Sequence, residues 1–329
     1  MTADLNIDIT SHTVHRQIWG SLGGGPVALN QAGQCRFCGQ TDQRKFRKVA
    51  HALPESLGNK WLVSLDECDD CNALFSRYED ALAKTVGPVL TISGMPGKAN
   101  HVRQTGRSNG PAVIQHQKGE QGRRLSMRVQ GDFTDHLGVD PVTGALQLRI
   151  PVAPERFVPR HAYKALVKMG MGLMPEADLG DFRHLLEWLR TPDDHVSMPP
   201  LHVGMSFGSI GNAPRAASAT LLKRKPEEAQ PPYMIFIATI GSLCFQIDLK
   251  SDAMDGPWPP SAAARSSIRW TTVLSGGAEP IRIPYSEPVQ LDWTSSEPRL
   301  QPLEALSMTV NPGGAGGTLS LRFRAGEAN

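Results

Sequence analysis

Four cysteines in the first quarter of the chain form two Cys-x-x-Cys pairs. They are Cys35, Cys38, Cys68 and Cys71. Each pair places two thiolates on one tight turn, and two such turns supply the four sulfur ligands of a tetrahedral zinc ion, each about 2.3 Å from the metal. The spacing therefore predicts one structural zinc site per chain. Any chemistry is expected in the segment that the zinc ion closes.

The fifth cysteine, Cys244, lies in an alternating apolar run and is interpreted as a small buried side chain. Cysteines used for a metal rather than for disulfides indicate a reducing compartment, so a cytoplasmic location is expected. The sequence shows no secretory segment and no apolar run as long as about 18 residues, so no membrane partner is expected.

Several polar residues lie inside or beside the zinc loop in a recognisable order. His51 begins a His-Ala-Leu-Pro element, Gly58-Asn59 follows it, and Asn72 comes directly after the last cysteine. Together with the four cysteines and the run Leu65-Asp66-Glu67, this pattern resembles the HNH endonuclease family, a zinc-stapled form of the ββα-metal nuclease fold. The resemblance covers about residues 30 to 90.

The resemblance implies a catalytic role for three residues. His51 takes the place of the general base that removes a proton from the attacking water, and an imidazole with an ordinary pKa of about 6.5 suits this task. Asn72 takes the place of a ligand to a catalytic Mg²⁺ or Mn²⁺ ion, and Asn59 that of the asparagine that orients the histidine. The alternatives are a histidine that packs beneath the zinc site, an Asn72 that caps a helix, and an Asn59 that only forms a turn.

The chain departs from the family pattern immediately before the histidine. Many relatives carry an acidic metal ligand there, whereas this chain has Ala50. Anionic oxygens supply most of the affinity for a hard divalent cation, so the site is expected to bind its catalytic ion weakly. Glu55, Glu79 or Asp80 could replace the missing carboxylate.

A basic segment follows the zinc module between residues 98 and 128. Seven lysines and arginines face a single acid, Glu120, which gives a net charge of +6, whereas the whole chain carries only +2. Neutralising phosphates adds salt-dependent affinity for nucleic acid, so Arg103, Arg107, Arg123 and Arg124 are predicted DNA contacts. The alternative is a solvated hairpin.

The apolar patterns predict an α+β chain. Residues 1–34 are interpreted as an edge strand and a glycine-rich linker at Gly20–Gly25, and residues 35–90 as the ββα-metal, treble-clef-like zinc module. Residues 91–329 are predicted to form a β-rich region for regulation or substrate recognition, with two packed helices at about 160–190. Within the module, strands are predicted at Phe46–Leu53 and Trp61–Leu65, followed by a helix from Asp69 or Asp70 to Gly87-Pro88.

The function implied by the resemblance is metal-dependent hydrolysis of DNA phosphodiester bonds. A free nuclease endangers its own cell, so restraint by a protein partner, by homo-oligomerisation or by a ligand is expected, as in restriction or phage-defence effectors. The main alternative is a zinc module that binds nucleic acid or protein without cutting. A third hypothesis makes the C-terminal region a sensor of a small molecule.

Overall fold

A computed structural model describes residues 11–21, 25–107, 110–119, 122–153, 155–191, 201–208, 216–229, 232–256, 268–274, 281–310 and 317–323. The helices are α1 (Asp69–Thr85), α2 (Gly87–Ile92), α3 (Pro159–Leu173), α4 (Arg183–Arg190) and α5 (Asp252–Asp255). The strands are β1 (His12–Ser21), β2 (Val27–Ala28), β3 (Ala50–His51), β4 (Leu62–Ser64), β5 (Ala112–Gly119), β6 (Gly122–Val129), β7 (Leu137–Val139), β8 (Leu146–Pro151), β9 (Arg156–Phe157), β10 (His202–Phe207), β11 (Ala216–Arg224), β12 (Met234–Ile240), β13 (Leu243–Leu249), β14 (Thr271–Leu274), β15 (Ile281–Pro284), β16 (Val289–Asp292), β17 (Arg299–Leu300), β18 (Leu303–Val310) and β19 (Gly317–Phe323). This mixture of helix and strand confirms the α+β prediction. Among the described helices, none has the length and hydropathy needed to cross a membrane.

A six-stranded antiparallel sheet is the largest sheet of the described structure, in the order β1-β11-β12-β13-β10-β16. Side chains of β12 alternate between its two faces, as a strand requires. Met234, Phe236 and Ala238 join the main core, whereas Ile235 and Ile237 join a smaller cluster under the β14–β15 hairpin. The predicted β-rich character of this region is thus confirmed, and β12 is buried on both faces.

Helix α3 crosses the face of the sheet that belongs to the main core. Its residues are buried almost without exception, because β11 and β13 lie on one side and α1 on the other. Gly170 permits the close approach to the sheet, since a Cβ there would stand 2.9 Å from Leu249 Cδ1 and 3.2 Å from Phe236 Cγ. The two predicted helices near residues 160–190 are confirmed, with a 3₁₀ segment at Glu176–Phe182 between α3 and α4.

The zinc module contains a three-stranded sheet in the order β2-β4-β3, followed by α1. Strand β3 is antiparallel and β2 parallel to β4, so the predicted strand, strand, helix order is present with one added strand. Phe75, Tyr78 and Leu82 recur at spacings of three and four residues, and they form the buried face of α1. The ring of Phe37 meets Phe75 edge-on at 4.8 Å, which joins the first cysteine turn to the helix.

The main hydrophobic core runs across the predicted boundary between the module and the later region. One cluster of buried side chains includes Leu29, Phe75, Leu166, Phe236 and Leu306. The domain limits at residues 34 and 90 stay predictions.

Gly20 lies in a strand and not in the predicted linker. It pairs with Ala217 inside β1, and a Cβ at this position would come within 2.6 Å of Trp61 Cβ. A glycine is needed here because the edge strand of the large sheet touches the zinc module. The apolar alternation at residues 5–9 and residues 22–24 of the linker lie outside the described residues.

Two other boundaries were wrongly predicted. The segment Phe46–Leu53 is a strand only at Ala50–His51, and it is preceded by a 3₁₀ turn at Gln43–Lys45. Gly87-Pro88 does not end the long helix, because α1 ends at Thr85 and Pro88 occupies the first turn of α2. Proline fits such a position, where its missing N–H would have no helical partner.

Candidate active site and zinc centre

The four cysteines converge between the first turn of the module and the start of α1. Their sulfur atoms all lie within 4.8 Å of one another, and Cys38 Sγ is 3.6 Å from Cys68 Sγ. All four are free thiols. Two sulfurs on a tetrahedral zinc ion stand about 3.8 Å apart when the bond length is about 2.3 Å. The clustering predicted from the spacing is confirmed, and the donor set could hold a zinc ion.

Local backbone geometry places the two pairs. Gly39 has a φ of 75°, and its N–H donates to the carbonyl of Cys35 at 2.8 Å, which closes the first turn. Cys68 is the N-cap residue of α1, and Cys71 lies in the first helical turn. The partial positive charge at a helix N-terminus favours thiolates there.

The acidities of the thiols show the crowding of the cluster. A hydrogen bond with Cys71 lowers the pKa of Cys35 to about 5 and outweighs the opposing effect of burial. Burial raises the pKa of Cys68 to about 11, and the charge of Cys35 adds to this effect. Four neighbouring thiols cannot all ionise unless a cation neutralises them, because like charges in one site disfavour ionisation. A thiolate-binding divalent ion such as zinc meets this need.

His51 lies at the end of β3, where it pairs with Val63 of β4. Its side chain is 23% exposed, and Nε2 is 3.9 Å from Glu55 Oε2. The other ring nitrogen, Nδ1, is buried and has no hydrogen-bond partner among the described residues. The imidazole therefore retains unused capacity for a proton or a ligand.

The surroundings of His51 favour its neutral form. Burial lowers the pKa of the imidazole, and the nearby ammonium groups of Lys168 and Lys60 act in the same direction. Glu55 and Glu79 raise this pKa but do not cancel the effect of burial. At neutral pH the ring is therefore uncharged, which is the form that can accept a proton.

Asn59 is fully buried, and its amide bonds only to the backbone. Nδ2 donates to the carbonyls of Leu53 (2.7 Å) and Leu62 (2.9 Å), whereas Oδ1 accepts from the N–H groups of Trp61 (3.1 Å) and Leu62 (3.0 Å). These four bonds use the whole hydrogen-bonding capacity of the amide. Asn59 thus clamps the turn between β3 and β4, and no bond from it reaches His51.

Asn72 is the fourth residue of α1 and is half-buried. Its side-chain amide makes no hydrogen bond to another residue in the described ranges. The alternative that Asn72 caps the helix is wrong, because Cys68 is the N-cap residue. Glu79 lies seven residues later, which puts it on the same face two turns away. The amide oxygen of Asn72 is therefore free to bind a cation.

Two of the three carboxylates that could replace the missing acid lie near His51. Glu55 is half-buried, and its second oxygen contacts the ammonium of Lys60. Burial alone would raise the pKa of Glu55, but Lys60 and His51 outweigh it, so the pKa falls below its usual value. Asp80 is 58% exposed and pairs with Lys84 at 2.6 Å on the outer surface of α1. The structure therefore favours Glu55 and Glu79 over Asp80.

Ala50 is buried at the position where many relatives carry an acid. Its methyl group is buried, and its backbone pairs with Ser64 of β4. A carboxylate at this position would enter the core of the module, where an unpaired charge is strongly disfavoured.

A buried ammonium group near His51 was not predicted from the sequence. Lys168 of α3 donates to the carbonyl oxygen of His51 at 2.8 Å and lies 3.1 Å from Glu79 Oε1 and 3.0 Å from Glu67 Oε2. Burial alone would lower the pKa of Lys168, but the two carboxylates raise it, so the group stays charged. Burial also raises the pKa of Glu67, to about 7. The sequence pattern that could have predicted this group is the pair Lys164 and Lys168, four residues apart beside the apolar stripe of α3.

The basic segment separates into exposed and neutralised parts. On β6, Arg124 and Arg128 are exposed and lie four residues apart, on the same face of the strand, while Leu125 and Met127 between them pack against the core. This alternation gives the β5–β6 hairpin one basic outer face. The side chain of Arg123 lies outside the described part of the structure.

The other two predicted contacts differ from each other. Arg103 pairs with Glu155, so its charge is largely compensated. Arg107 is exposed and lines a cleft of about 570 Å³ together with Lys84 and Arg156. Arg107 and Arg124 are thus exposed cations and Arg103 is a compensated one, and the contact of these residues with DNA stays a prediction.

Residues 35–85 match the family model HNH_5, described as HNH endonuclease. The match covers both cysteine pairs, His51, Asn59 and Asn72, and it agrees with the resemblance seen in the sequence. No curated protein and no solved structure matches the chain.

The zinc centre predicts one zinc ion per chain that stabilises the module. Cys38→Ser should abolish stoichiometric zinc, because three thiolates and a hydroxyl bind the ion far less tightly, and metal binding contributes about 10 kcal/mol to the folding of such small sites. Elemental analysis of protein purified without added metal measures this. Cys244→Ala is the matched control, since Cys244 is buried in the six-stranded sheet, away from the cluster. Equal zinc in both variants would contradict the assignment.

Proposed function

We propose that the chain is a metal-dependent HNH endonuclease that hydrolyses phosphodiester bonds in DNA. One observation supports this most directly. A neutral, incompletely bonded His51 lies beside the ionised Glu55, in a segment that matches HNH endonucleases and that ends in a helix presenting the free amide of Asn72. These are the groups that phosphodiester hydrolysis requires, namely a base and oxygen ligands for a cation.

His51 and the oxygen-bearing side chains near it have different roles in the proposed reaction. His51 accepts a proton from the water that attacks the phosphorus atom, and its low pKa keeps it ready to do so near neutral pH. The amide oxygen of Asn72 and the carboxylates of Glu55 and Glu79 are the groups that would hold Mg²⁺ or Mn²⁺. A bound ion supplies charge stabilisation to the phosphate in the transition state. Because position 50 is an alanine and not an acid, the site is expected to need a high concentration of the divalent ion for activity.

The regions outside the matched segment suit recognition and restraint. An unregulated nuclease would damage the chromosome of its own cell. Control by a protein partner or by homo-oligomerisation in the cytoplasm, as in restriction or phage-defence effectors, is therefore part of the proposal.

One observation favours a second candidate function. Ala50 stands where many relatives have an acidic ligand, and its methyl group is buried. A zinc module that binds nucleic acid or a protein partner without cutting would need no such ligand. Cleavage assays separate the two functions.

The proposed reaction predicts that His51→Ala lowers the rate of plasmid nicking by about 100-fold or more, as expected for loss of a general base. Supercoiled plasmid is incubated with the protein in buffer that contains Mg²⁺, Mn²⁺ or no divalent metal. The negative control omits the metal and uses no chelator, because a chelator would also remove zinc. His101→Ala, at an exposed histidine, is the matched control. A parallel assay with RNA tests the substrate class. The same nicking rate in wild type and in a His51→Ala/Asn72→Ala double variant would leave the binding module as the function.

The acidic groups near His51 predict a metal dependence. Glu55→Gln should raise the Mn²⁺ concentration for half-maximal nicking by about tenfold or more, because an amide is a weaker ligand than a carboxylate for a hard cation. Asp80→Gln is the control, since Asp80 faces solvent and pairs with Lys84. Titration of Mn²⁺ by electron paramagnetic resonance gives the same comparison without turnover. If Asp80→Gln weakens metal binding and Glu55→Gln does not, the replacement acid is wrongly assigned.

The basic hairpin predicts a change in the salt dependence of DNA binding. Arg124→Gln/Arg128→Gln should reduce the slope of log K against log salt concentration by about 0.9 per lost phosphate contact. Arg103→Gln should change this slope less, because Arg103 is already paired with Glu155. Fluorescence anisotropy at several salt concentrations measures the DNA affinity of the wild type, the double variant and Arg103→Gln. An unchanged slope in the double variant would make the hairpin an ordinary solvated face.

A further inference from the structure

We infer that Lys168 is a positioning residue of the nuclease site, supplied by the region outside the segment that matches HNH endonucleases. This inference rests on the proposed function. Its ammonium group lies in the interior and is bound to the main chain of His51, to Glu79 and to Glu67. It touches no reacting atom, so its contribution must act through the groups that it holds.

The backbone around His51 needs such an anchor. Strand β3 has only two residues, and its ladder to β4 consists of the pairs Ala50–Ser64 and His51–Val63. The next N–H, that of Ala52, donates to the carbonyl of Leu62. The carbonyl of His51 accepts from Lys168 at 2.8 Å, and a hydrogen bond from a charged donor is stronger than one between neutral groups. Lys168 therefore limits the movement of the residue that carries the base.

The same ammonium group holds the facing helix. Glu79 extends from α1, two turns after Asn72, and its Oε1 lies 3.1 Å from Lys168 Nζ. One cation thus connects the strand that bears His51 with the helix that bears Asn72. The relative placement of base and metal ligand depends on this connection, and a displacement of about 1 Å can reduce a rate by about 100-fold.

The simpler explanation of the buried Lys168 is that it only balances the charge of Glu67. A pair of variants separates this explanation from a positioning role. Glu67 is fully buried, so Lys168→Met alone would leave a buried acid group without its counter-ion. Glu67→Gln/Lys168→Met removes one charge of each sign, and Glu67→Gln alone is its matched control. In the control, Lys168 keeps its contacts with His51 and Glu79. The two proteins differ only at Lys168.

The experiment compares zinc content, thermal unfolding, DNA affinity, kcat for nicking, and hydrogen exchange at Ala52. In Glu67→Gln, nicking should stay near the wild-type rate. In Glu67→Gln/Lys168→Met, kcat should fall by about 100-fold while DNA affinity and zinc content stay unchanged, and exchange at Ala52 should accelerate. Equal kcat in two folded variants overturns the inference.

Other outcomes also decide the matter. If the double variant does not fold, Glu67→Leu/Lys168→Met replaces it with an apolar pair, and failure of both to fold overturns the inference in favour of a purely structural ion pair. If wild-type protein cuts no nucleic acid, the proposed function fails by itself. The anchoring of His51 is then judged by exchange alone: faster exchange at Ala52 without Lys168 supports it, and equal exchange overturns it.

Discussion

Helix α3 lies in the interior, yet it carries two lysines, Lys164 and Lys168. Their ammonium groups need hydrogen-bond or charge partners there. Lys164 donates to the carbonyl of Thr191 at 2.8 Å and lies over the rings of Tyr78 and Trp188. Lys168 binds two carboxylates and a carbonyl of the zinc module. Removing one partner of a buried ion pair costs about 3–5 kcal/mol, so the contacts of Lys168 restrict how the zinc module can be placed against α3.

The features that were predicted correctly depend on short-range patterns. The cysteine spacing determines which sulfurs can share one ion, and the apolar spacing of Phe75, Tyr78 and Leu82 determines the buried face of α1. Strand alternation at β12 and β13 likewise appears within a few residues, and Gly241 takes up the left-handed conformation that their tight turn requires. Each of these features depends on residues close together in the sequence, and for these features the local preference agrees with the final structure.

The failures concern contacts between distant parts of the chain. The segment before His51 looks like a strand, but the N–H groups of Arg47 and Lys48 are taken by the carboxylate of Asp69 at 3.4 and 2.9 Å. A side chain at the start of α1 thus replaces a strand partner. Arg103 likewise counts as a free charge in the sequence, although Glu155 compensates it in the structure. Sequence spacing contains no information about such partners.

The cation of Lys168 also determines where this chain can be divided. The matched segment ends at residue 85, whereas the counter-ion of its buried Glu67 comes from residue 168. A fragment cut after α2 would contain Glu67 without that counter-ion, and Phe75 and Tyr78 would lose the cover of α3. The unit that can be transplanted into another protein is therefore larger than the unit that sequence comparison recognises. An exchange of modules between relatives would therefore require the receiving chain to offer a buried cation at the same place.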